Sequence, residues 1–205
     1  MDNQDIYIKI ALIGDSSVGK TSIINKFTKN KFSNEELPTT GANYSQKVIK
    51  KHDKIIRLDL WDTAGQEQYR SIGRFFYKEA YIVCLVYDIT NAASFENLKN
   101  IWHDELEKYG EEYKVVAVLG NKTDLFIKEN VSEEEARKYA DDIKALFELT
   151  SAKTGDGIEE IFDELVDKYF ELEIPKMVEQ NNTKKDNNIK LNKESHKQKK
   201  KCCEK

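Results

Sequence analysis

The sequence lacks any apolar run long enough to cross a bilayer, which takes about 20 residues. Its first residues, MDNQD, lack the basic start and apolar stretch of a secretory signal peptide. Asp2 follows Met1, which excludes N-myristoylation because that modification needs a glycine there. The three cysteines in 205 residues form no disulfide framework. We therefore expect a chain that folds in the cytosol.

An excess of positive charge is also missing. The formal net charge is −4 and the isoelectric point is near 5.6, whereas nucleic-acid-binding domains are commonly basic. We therefore expect no nucleic-acid partner. The length and the 39% hydrophobic content suit one globular domain with a substantial core.

The composition changes near Glu171. From Pro175 onward Asn, Lys, Gln and Glu dominate and large apolar residues are few, so this segment cannot bury enough surface to fold. The sequence thus predicts a folded domain over residues 1–172 and a flexible, disordered C-terminal tail over residues 173–205.

Short apolar runs alternate with amphipathic stretches through the folded part. We predict strands at 6–13, 43–51, 55–61, 81–87, 114–120 and 146–149, and helices at 19–28, 67–78, 92–109, 132–144 and 156–171. The runs IYIKIALIG, YIVCLVYD and YKVVAVLG are typical of parallel strands buried on both faces. His52-Asp53 predicts a hairpin turn, and Ser132 with Glu135 a helix-capping box. The class is α/β: a six-stranded, mostly parallel sheet with one antiparallel edge strand and helices on both faces.

A glycine-rich segment, LIGDSSVGKTS, joins the first strand to the first helix. Gly14 and Gly19 let the backbone curl so that successive N–H groups point towards a polyphosphate. Lys20 supplies positive charge to the β and γ phosphates, and Thr21 a hydroxyl for Mg²⁺. The predicted phosphate-binding residues are Gly14, Asp15, Ser16, Ser17, Val18, Gly19, Lys20, Thr21 and Ser22, with Gly65 from the next motif. This motif alone does not separate ATP from GTP, or a kinase or ATPase from a switch.

The segment WDTAGQE follows the second strand of the hairpin, at residues 61–67. Asp62 at a strand end suits a water-mediated hold on Mg²⁺. Gly65 can bring its N–H close to a γ-phosphate, and the Gln66 amide can orient an attacking water. The segment therefore predicts nucleotide hydrolysis, with a polar turn that has no chemical role as the alternative.

The fifth strand runs into GNKTD at residues 120–124. The Asp124 carboxylate can accept hydrogen bonds from N1–H and the exocyclic amine of guanine, a donor pair that adenine lacks. Asn121 can tie the loop together, and the Lys122 stem can lie over the purine face.

The sixth strand runs into Thr150-Ser151-Ala152-Lys153. The small Ser151 and Ala152 allow a backbone N–H to reach the guanine O6, and Lys153 covers the base from the other side. Asn-Lys-x-Asp alone is weak, but this order of four motifs is specific. The sequence therefore predicts a guanine-nucleotide site.

In this order the motifs resemble the small GTPases of the Ras superfamily over about residues 6–172, and the chain is most similar to the Rab branch. The residues that carry the likeness are WDTAGQE at 61–67, YRSI at 69–72, FYKEA at 76–80, LVYDIT at 85–90 and Cys202-Cys203. TGA at 40–42 leans towards the early-endosomal group. The resemblance implies a P-loop small-GTPase fold, with residues 1–172 as the GTP-binding domain.

The resemblance implies further roles. Thr39, 18 residues after Thr21, would coordinate Mg²⁺ when GTP is bound, with Thr40 as its rival if the loop has gained a residue. Phe32 would lie edge-on to the guanine. The two switch segments would span residues 32–44 and 63–79, ordered by the γ-phosphate and released on hydrolysis.

Three positions depart from the Rab pattern. Thr40 replaces the usual isoleucine, Gln68-Tyr69 replaces Arg-Phe or Arg-Tyr, and Lys78-Glu79 replaces Arg-Gly. They lie where Rab partners bind, so the identity of the effector and exchange factor does not carry over.

The implied function is a GTP-hydrolysing switch in vesicle trafficking. Gln66 and the Thr39 carbonyl would orient the water, while Lys20 and Mg²⁺ stabilise the spreading charge. No arginine is assigned to the site, so an activating protein is expected to supply one, worth about 10³–10⁵-fold in rate. The implied partners are an exchange factor, a GTPase-activating protein, a GDP dissociation inhibitor or escort protein, and effectors. We expect a monomer.

The tail ends in HKQKKKCCEK, which puts two cysteines beside a lysine cluster. Two lipids, or one lipid with basic residues, anchor a protein stably, and lysines favour anionic membranes. Glu204 makes Cys-a-a-X a formal match only, and the Rab resemblance instead implies geranylgeranylation of Cys202 and Cys203. The protein would then cycle between the cytosol and the cytoplasmic face of endomembranes, endosomes among them. The alternative is a solvated tail with two unmodified thiols.

Two other functions compete. A module that holds GTP or GDP with little hydrolysis is favoured by the departures at Thr40 and Gln68 and opposed by Gln66 and Thr39. A P-loop kinase lacks a lid or acceptor motif here and conflicts with the guanine motif. Away from the site, Cys84 in an apolar strand and Trp102 at helical spacing are predicted to be core residues.

Overall fold

The computed structural model describes residues 5–65, 75–111 and 113–173. The chain divides into two compact units, Met1–Val166 and Asp167–Lys205. In the second unit, residues 167–173 are helical, and Lys168 pairs with Glu171 at 2.9 Å. The fold below is that of the first unit. The domain boundary after residue 172 stays a prediction, because residues from 174 onward lie outside the described range.

Six strands form a sheet in the order β2-β3-β1-β4-β5-β6. They are β1 (Ile6–Ile13), β2 (Ala42–Lys51), β3 (Lys54–Thr63), β4 (Ile82–Asp88), β5 (Val115–Asn121) and β6 (Leu146–Thr150). β2 pairs antiparallel with β3, and the other pairs are parallel. The predicted α/β class, with its six strands and antiparallel edge strand, is confirmed.

The β2–β3 hairpin turns where the sequence predicted it. His52 and Asp53 have φ angles of 53° and 56°, the left-handed conformation that a two-residue turn of type I′ requires at both central positions. The register then pairs Lys51 with Lys54 across the turn. The hairpin brings β3 beside β1, so that the segment after β3 and the glycine-rich loop of residues 14–21, the P-loop, leave the sheet at the same edge.

The described helices surround the sheet. They are α1 (Lys20–Lys29), α2 (Ala92–Asn97), α3 (His103–Tyr109), α4 (Glu133–Asp142) and α5, which comprises the helical residues 158–166 of this unit. A 3₁₀ helix spans Thr123–Lys128, and residues 75–77 are helical. Ser132 Oγ caps α4 by accepting the Glu135 N–H at 3.2 Å, as predicted. Most of the predicted helix 67–78 lies outside the described residues.

The prediction of one α-helix over 92–109 was wrong in its middle. Leu98–Trp102 forms a π-helical turn between α2 and α3, and the His103 N–H donates to the Leu98 carbonyl five residues back. Apolar spacing does not reveal such an insertion, because one wide turn shifts the pattern by a single residue. The turn changes which side chains face the P-loop.

Both faces of the central strands are covered. Ala11 and Ile13 of β1 belong to a core that includes Leu98 and Trp102. Ile10 and Leu12 are equally inaccessible to solvent and point to the opposite face, because side chains alternate along a strand. The buried Cys84 also fits the core prediction. Since β1, β3, β4, β5 and β6 run parallel, their carboxyl ends share one edge, where ligands of such sheets bind.

Candidate nucleotide-binding site

A cavity of about 410 Å³ opens at the carboxyl edge of the sheet. The predicted site residues that line it are Ser16, Ser17, Gly19, Lys20, Thr21, Ser22, Phe32, Thr39, Gly65, Asn121, Lys122, Asp124, Ala152 and Lys153. Five other predicted residues do not line the cavity themselves: Gly14, Asp15, Val18, Asp62 and Ser151. Gln66, Cys202 and Cys203 lie outside the described residues. The structure therefore brings all four motifs to one cavity.

The P-loop glycines occupy positions that no other residue fits. Gly14 has φ 145°, and a Cβ there would lie 2.2 Å from the Val86 carbonyl oxygen. Gly19 has φ 103°, and a Cβ there would lie 2.2 Å from the Asn121 Nδ2. Contacts that short do not occur for real Cβ atoms, so both glycines are required for the loop to pack against β4 and β5.

Lys20 is buried, with its ammonium aimed back into the P-loop. Its Nζ donates to the carbonyl oxygens of Gly14 and Asp15, both at 2.7 Å. Burial lowers the pKa of Lys20 to about 8, and the charges of Asp62 and Asp15 oppose that shift. A desolvated cation whose direct acceptors are neutral carbonyls is stabilised by an arriving anion. This position therefore suits a phosphate.

Three oxygen-bearing side chains converge beside the P-loop. Thr21 Oγ1 donates to Asp62 Oδ2 at 2.6 Å, Thr39 Oγ1 donates to the same oxygen at 3.1 Å, and the two hydroxyls are 3.1 Å apart. Thr40 is exposed instead, so the predicted 18-residue spacing selects the threonine that faces the site.

The remaining oxygen of this cluster points to a cation. Asp62 Oδ1 is buried and accepts no hydrogen bond of good geometry within the described ranges, although the Asn43 side chain also approaches this carboxylate. Burial raises the pKa of Asp62, while the Thr21 hydroxyl and Lys20 act in the opposite direction. A buried carboxylate with a spare oxygen beside two hydroxyls is a hard-oxygen donor set that fits Mg²⁺. Thr21, Thr39 and Asp62 are thus the residues that could hold the metal.

The segments that flank the cluster touch each other. The Ala64 N–H donates to the Gly41 carbonyl at 2.8 Å, which joins the end of β3 to the loop that carries Thr39. Gly65 lies so close to the P-loop that a Cβ would be 2.3 Å from the Asp15 carbonyl carbon. Both segments therefore meet at the phosphate end of the cavity.

Asn121 joins three loops at the base end. Its Nδ2 donates to the Val18 carbonyl at 2.8 Å, and its Oδ1 accepts the Ala152 N–H at 3.2 Å and the Thr150 hydroxyl at 3.3 Å. The interpretation that Asn121 ties the loop together extends further, since it links the P-loop to the last motif. The Ala152 N–H, which the sequence predicts near the guanine O6, donates to Asn121 Oδ1 in this structure.

Asp124 is held by its neighbours from the last motif. Its Oδ1 accepts the Ser151 hydroxyl at 2.8 Å, and the Lys153 Nζ is 3.6 Å from its Oδ2. Lys122 has φ 73° and forms an ion pair at 2.6 Å with Asp88 Oδ2. The loop thus presents a fixed carboxylate towards the cavity.

Sequence reasoning missed three residues that support these loops. Asp88 holds Lys122, while Trp102 Nε1 and Asn97 Nδ2 donate to the two carboxylate oxygens of Asp15 at 2.8 and 2.7 Å. Asp88 stands at the carboxyl end of β4, and its position at the ligand-binding edge was an available signal. Trp102 is buried as predicted. A buried indole N–H needs a hydrogen-bond acceptor, and the sequence analysis did not identify that acceptor.

A P-loop, a carboxylate and hydroxyl cluster, and a carboxylate poised for guanine around one cavity define the class of P-loop guanine-nucleotide-binding proteins. Comparison with protein families matches the chain to the Ras family over residues 9–171. The chain belongs to that family, and its relatives are Rab proteins.

Three relatives illustrate the likeness. The Ras-related protein RabC of Dictyostelium discoideum is 38% identical over 165 residues, which span 80% of this chain and 84% of that protein. The Ras-related protein Rab-22A of Homo sapiens is 40% identical over 158 residues, 77% of this chain and 81% of that protein. The Ras-related protein RABF2a of Arabidopsis thaliana is 39% identical over 163 residues, 80% of this chain and 81% of that protein.

The predicted resemblance to Rab GTPases is therefore confirmed. The protein is a Rab-type small GTPase: it binds GTP and GDP, hydrolyses GTP and belongs to vesicle trafficking. Its partner classes are those of the family, namely exchange factors, activating proteins, dissociation inhibitors and effectors. None of the helices in the described ranges is long and apolar enough to span a membrane.

Proposed function

We propose that Thr39, Lys20 and Gln66 carry GTP hydrolysis in this switch. The observation that supports this assignment is the convergence of Thr21, Thr39 and Asp62 beside the buried Lys20. When bound, Mg²⁺ supplies positive charge to the β and γ phosphates and fixes their orientation. Thr21 and Thr39 would hold it directly and Asp62 through water.

The chain's own groups act around the γ-phosphoryl group. Lys20 stabilises negative charge on the transferring phosphoryl oxygens, because its ammonium is desolvated and already fixed in direction. The Thr39 carbonyl and the Gln66 side chain orient the attacking water. Gln66 is assigned from its place next to Gly65, whose backbone packs against the P-loop. The other phosphate contacts come from backbone N–H groups of residues 14–22 and Gly65.

The other end of the cavity selects guanine. With Ser151 holding one lone pair, the Asp124 carboxylate keeps acceptor sites for the N1–H and exocyclic amine of guanine. Adenine offers no matching donor pair and would leave the carboxylate desolvated without partners. Lys122 and Lys153 cover the two faces of the base, Phe32 lies at its edge, and Ala152 bounds the O6 side.

The contacts between Thr39 and Asp62 and between Gly41 and Ala64 support a switch cycle. The first links the loop before β2 to the end of β3, and the second links that loop to the residue that follows β3. In our proposal a γ-phosphate keeps the two segments together for effector binding, and its loss separates them. An arginine from an activating protein completes the site, since no arginine of this chain lines the cavity within the described residues.

The tail carries the membrane anchor in this proposal. Geranylgeranyl groups on Cys202 and Cys203 beside the lysine cluster give the two signals that stable anchoring requires. The folded GTP-binding domain of residues 1–172 then acts as a monomer on the cytoplasmic face of endomembranes and returns to the cytosol with an escort protein. The TGA segment at 40–42 favours an endosomal compartment.

The proposal is tested by single-turnover GTP hydrolysis with Mg²⁺, comparing the wild type with Gln66→Leu. We expect slow hydrolysis in the wild type and no hydrolysis in the variant. The two proteins should bind GDP with the same affinity. An arginine-bearing activating protein should accelerate the wild type alone. Equal hydrolysis by both proteins would refute the role of Gln66, and a preference for ATP over GTP would refute the assignment of Asp124.

A further inference from the structure

We propose that Asp15 is a positioning residue, whose carboxylate is latched by Asn97 and Trp102 so that its peptide group holds Lys20 and Gly65 in place. The inference rests on the proposed function of Lys20 and Gly65 and extends it. It makes nucleotide retention depend on the π-helical turn at Leu98–Trp102, which does not line the cavity. We call the three side chains, Asp15, Asn97 and Trp102, the P-loop latch.

The latch uses both carboxylate oxygens of Asp15. Trp102 Nε1 donates to Oδ1 at 2.8 Å and Asn97 Nδ2 donates to Oδ2 at 2.7 Å. Trp102 is 2% exposed, so its hydrogen bond is shielded from water and from competing donors. Hydrogen bonds to an ionised group are the stronger kind, and two of them fix the carboxylate in position and orientation.

The backbone of the same residue faces the phosphate end. The Asp15 carbonyl accepts the Lys20 ammonium at 2.7 Å. Gly65 lies against the same peptide, because a Cβ at Gly65 would be 2.3 Å from the Asp15 carbonyl carbon and 2.5 Å from its oxygen. A rotation of the Asp15 peptide therefore displaces both the ammonium and the segment that begins with Gly65.

The π-helical turn explains how two helical side chains reach one carboxylate. Asn97 and Trp102 are five residues apart, and in an α-helix that spacing separates side chains by about 140°. In a π-helical turn the hydrogen bond spans five residues, so positions i and i+5 lie nearly above one another. The His103 N–H to Leu98 carbonyl bond places this wide turn where the latch needs it. Such insertions are frequent at functional sites.

The test is the dissociation rate of a fluorescent GDP analogue from the full chain with Mg²⁺, measured by displacement with unlabelled GDP. Asp15→Ala removes both latch bonds, and we expect release to accelerate at least roughly tenfold, because one hydrogen bond to a charged group is already worth about that much. Asp15→Asn keeps an acceptor for Trp102 and can pair with the reoriented amide of Asn97. We expect it to restore most of the wild-type rate.

A double-mutant cycle separates the latch from general destabilisation. Trp102→Phe keeps the buried ring but removes the donor, so its effect should shrink once Asp15→Ala is present. Leu98→Ala, in the same turn but without a hydrogen bond to the P-loop, is the matched control. It should lower the melting temperature with little change in release. If Asp15→Ala does not fold, Trp102→Phe is compared directly with Leu98→Ala, and only Trp102→Phe should release GDP faster than the wild type.

The outcomes distinguish this inference from the function on which it rests. A wild type that fails to retain GDP would overturn the proposed function itself. If the wild type retains GDP, and Asp15→Ala or Trp102→Phe releases GDP at the wild-type rate, the latch alone would be overturned. Independent, multiplicative effects of Asp15→Ala and Trp102→Phe would also overturn it, because latched groups must be coupled.

Discussion

The ammonium of Lys122 lies 2.6 Å from Asp88 Oδ2, which joins the loop after β5 to the end of the neighbouring β4. The other oxygen, Asp88 Oδ1, accepts the backbone N–H and hydroxyl of Thr90 at 2.8 and 2.7 Å. Lys122 is in the left-handed conformation, so its direction is set jointly by its backbone and by Asp88. Asp88, which lies outside the nucleotide motifs, thus orients Lys122, which lies inside one of them.

We predict that Asp88→Asn weakens GDP binding about tenfold, as expected for loss of a charged partner. Asparagine keeps an acceptor for Thr90 but removes the charge that faces Lys122. Titration with fluorescent GDP measures the effect. Glu133→Gln, which removes one charge from the exposed pair with Arg137 on α4, is the control and should bind like the wild type. Wild-type affinity in a folded Asp88→Asn would contradict the prediction.

A second prediction concerns the metal. Asp62→Asn should raise the Mg²⁺ concentration needed to slow GDP release by about 10–100-fold, the usual cost of removing a group that holds or orients a metal ligand. The check is the GDP release rate over a Mg²⁺ series. Asp59→Asn is the matched control, because it makes the same change three residues earlier on β3, where the Asp59 carboxylate accepts from Tyr44 and Gln46. An equal shift in both variants would exclude a metal role for Asp62.

A third prediction is that the affinity for GDP depends on pH through the titration of Lys20. In the nucleotide-free protein the pKa of Lys20 is lowered to about 8, and a bound phosphate raises it again because it favours the charged form. Binding above pH 8 therefore takes up a proton, so GDP affinity falls as pH rises from 8, by at most about tenfold per pH unit. Well below pH 8 Lys20 is already charged, so this group adds no further pH dependence to the affinity.

Lys20→Arg provides the control for this pH profile. Arginine stays charged throughout the range, so its affinity, although weaker, should not decline above pH 8 through this group. Affinities measured from pH 6.5 to 9 in both proteins give the comparison. Parallel profiles would show that the ammonium of Lys20 is not the titrating group.

A fourth prediction sets two buried tyrosines against each other. Tyr87 Oη has no hydrogen-bond partner in the described part of the chain, whereas Tyr77 Oη donates to Glu105 at 2.9 Å. Tyr87→Phe should therefore increase the free energy of unfolding by about 1 kcal/mol, and Tyr77→Phe should decrease it by about the same amount. Denaturant titration of the GDP-bound protein measures both. Equal signs would refute the argument.

The sequence was sufficient to predict residues whose chemistry depends on local spacing. Gly14, Lys20 and Asp124 sit in short motifs, and phosphate or guanine binding restricts the residue type at each position. The same holds for Ser132, whose capping contact is three residues away. The place of Lys20 and Asp124 at the cavity could be predicted because the carboxyl ends of parallel strands meet at one edge of the sheet.

Contacts between distant segments could not be predicted in this way. Asp15 and Trp102 are 87 positions apart, and nothing in either local pattern names the other. The π-helical turn that brings them together shifts the apolar pattern by one residue, which periodicity does not resolve. The sequence identified Asp88 only as the end of a strand. Its ion pair with Lys122 could not be predicted, because the direction of Lys122 depends on the backbone turn after β5.

The Asn121 carboxamide has one further consequence. Its amide nitrogen reaches Val18, 103 positions away in the chain, and its oxygen receives the Ala152 N–H. Asn121 therefore connects the part of the cavity that faces the phosphates to the part that faces the base. A partner protein that displaces either of these two parts is expected to disturb the other through Asn121. We therefore expect that an exchange factor which displaces one of these parts weakens nucleotide binding at the other as well.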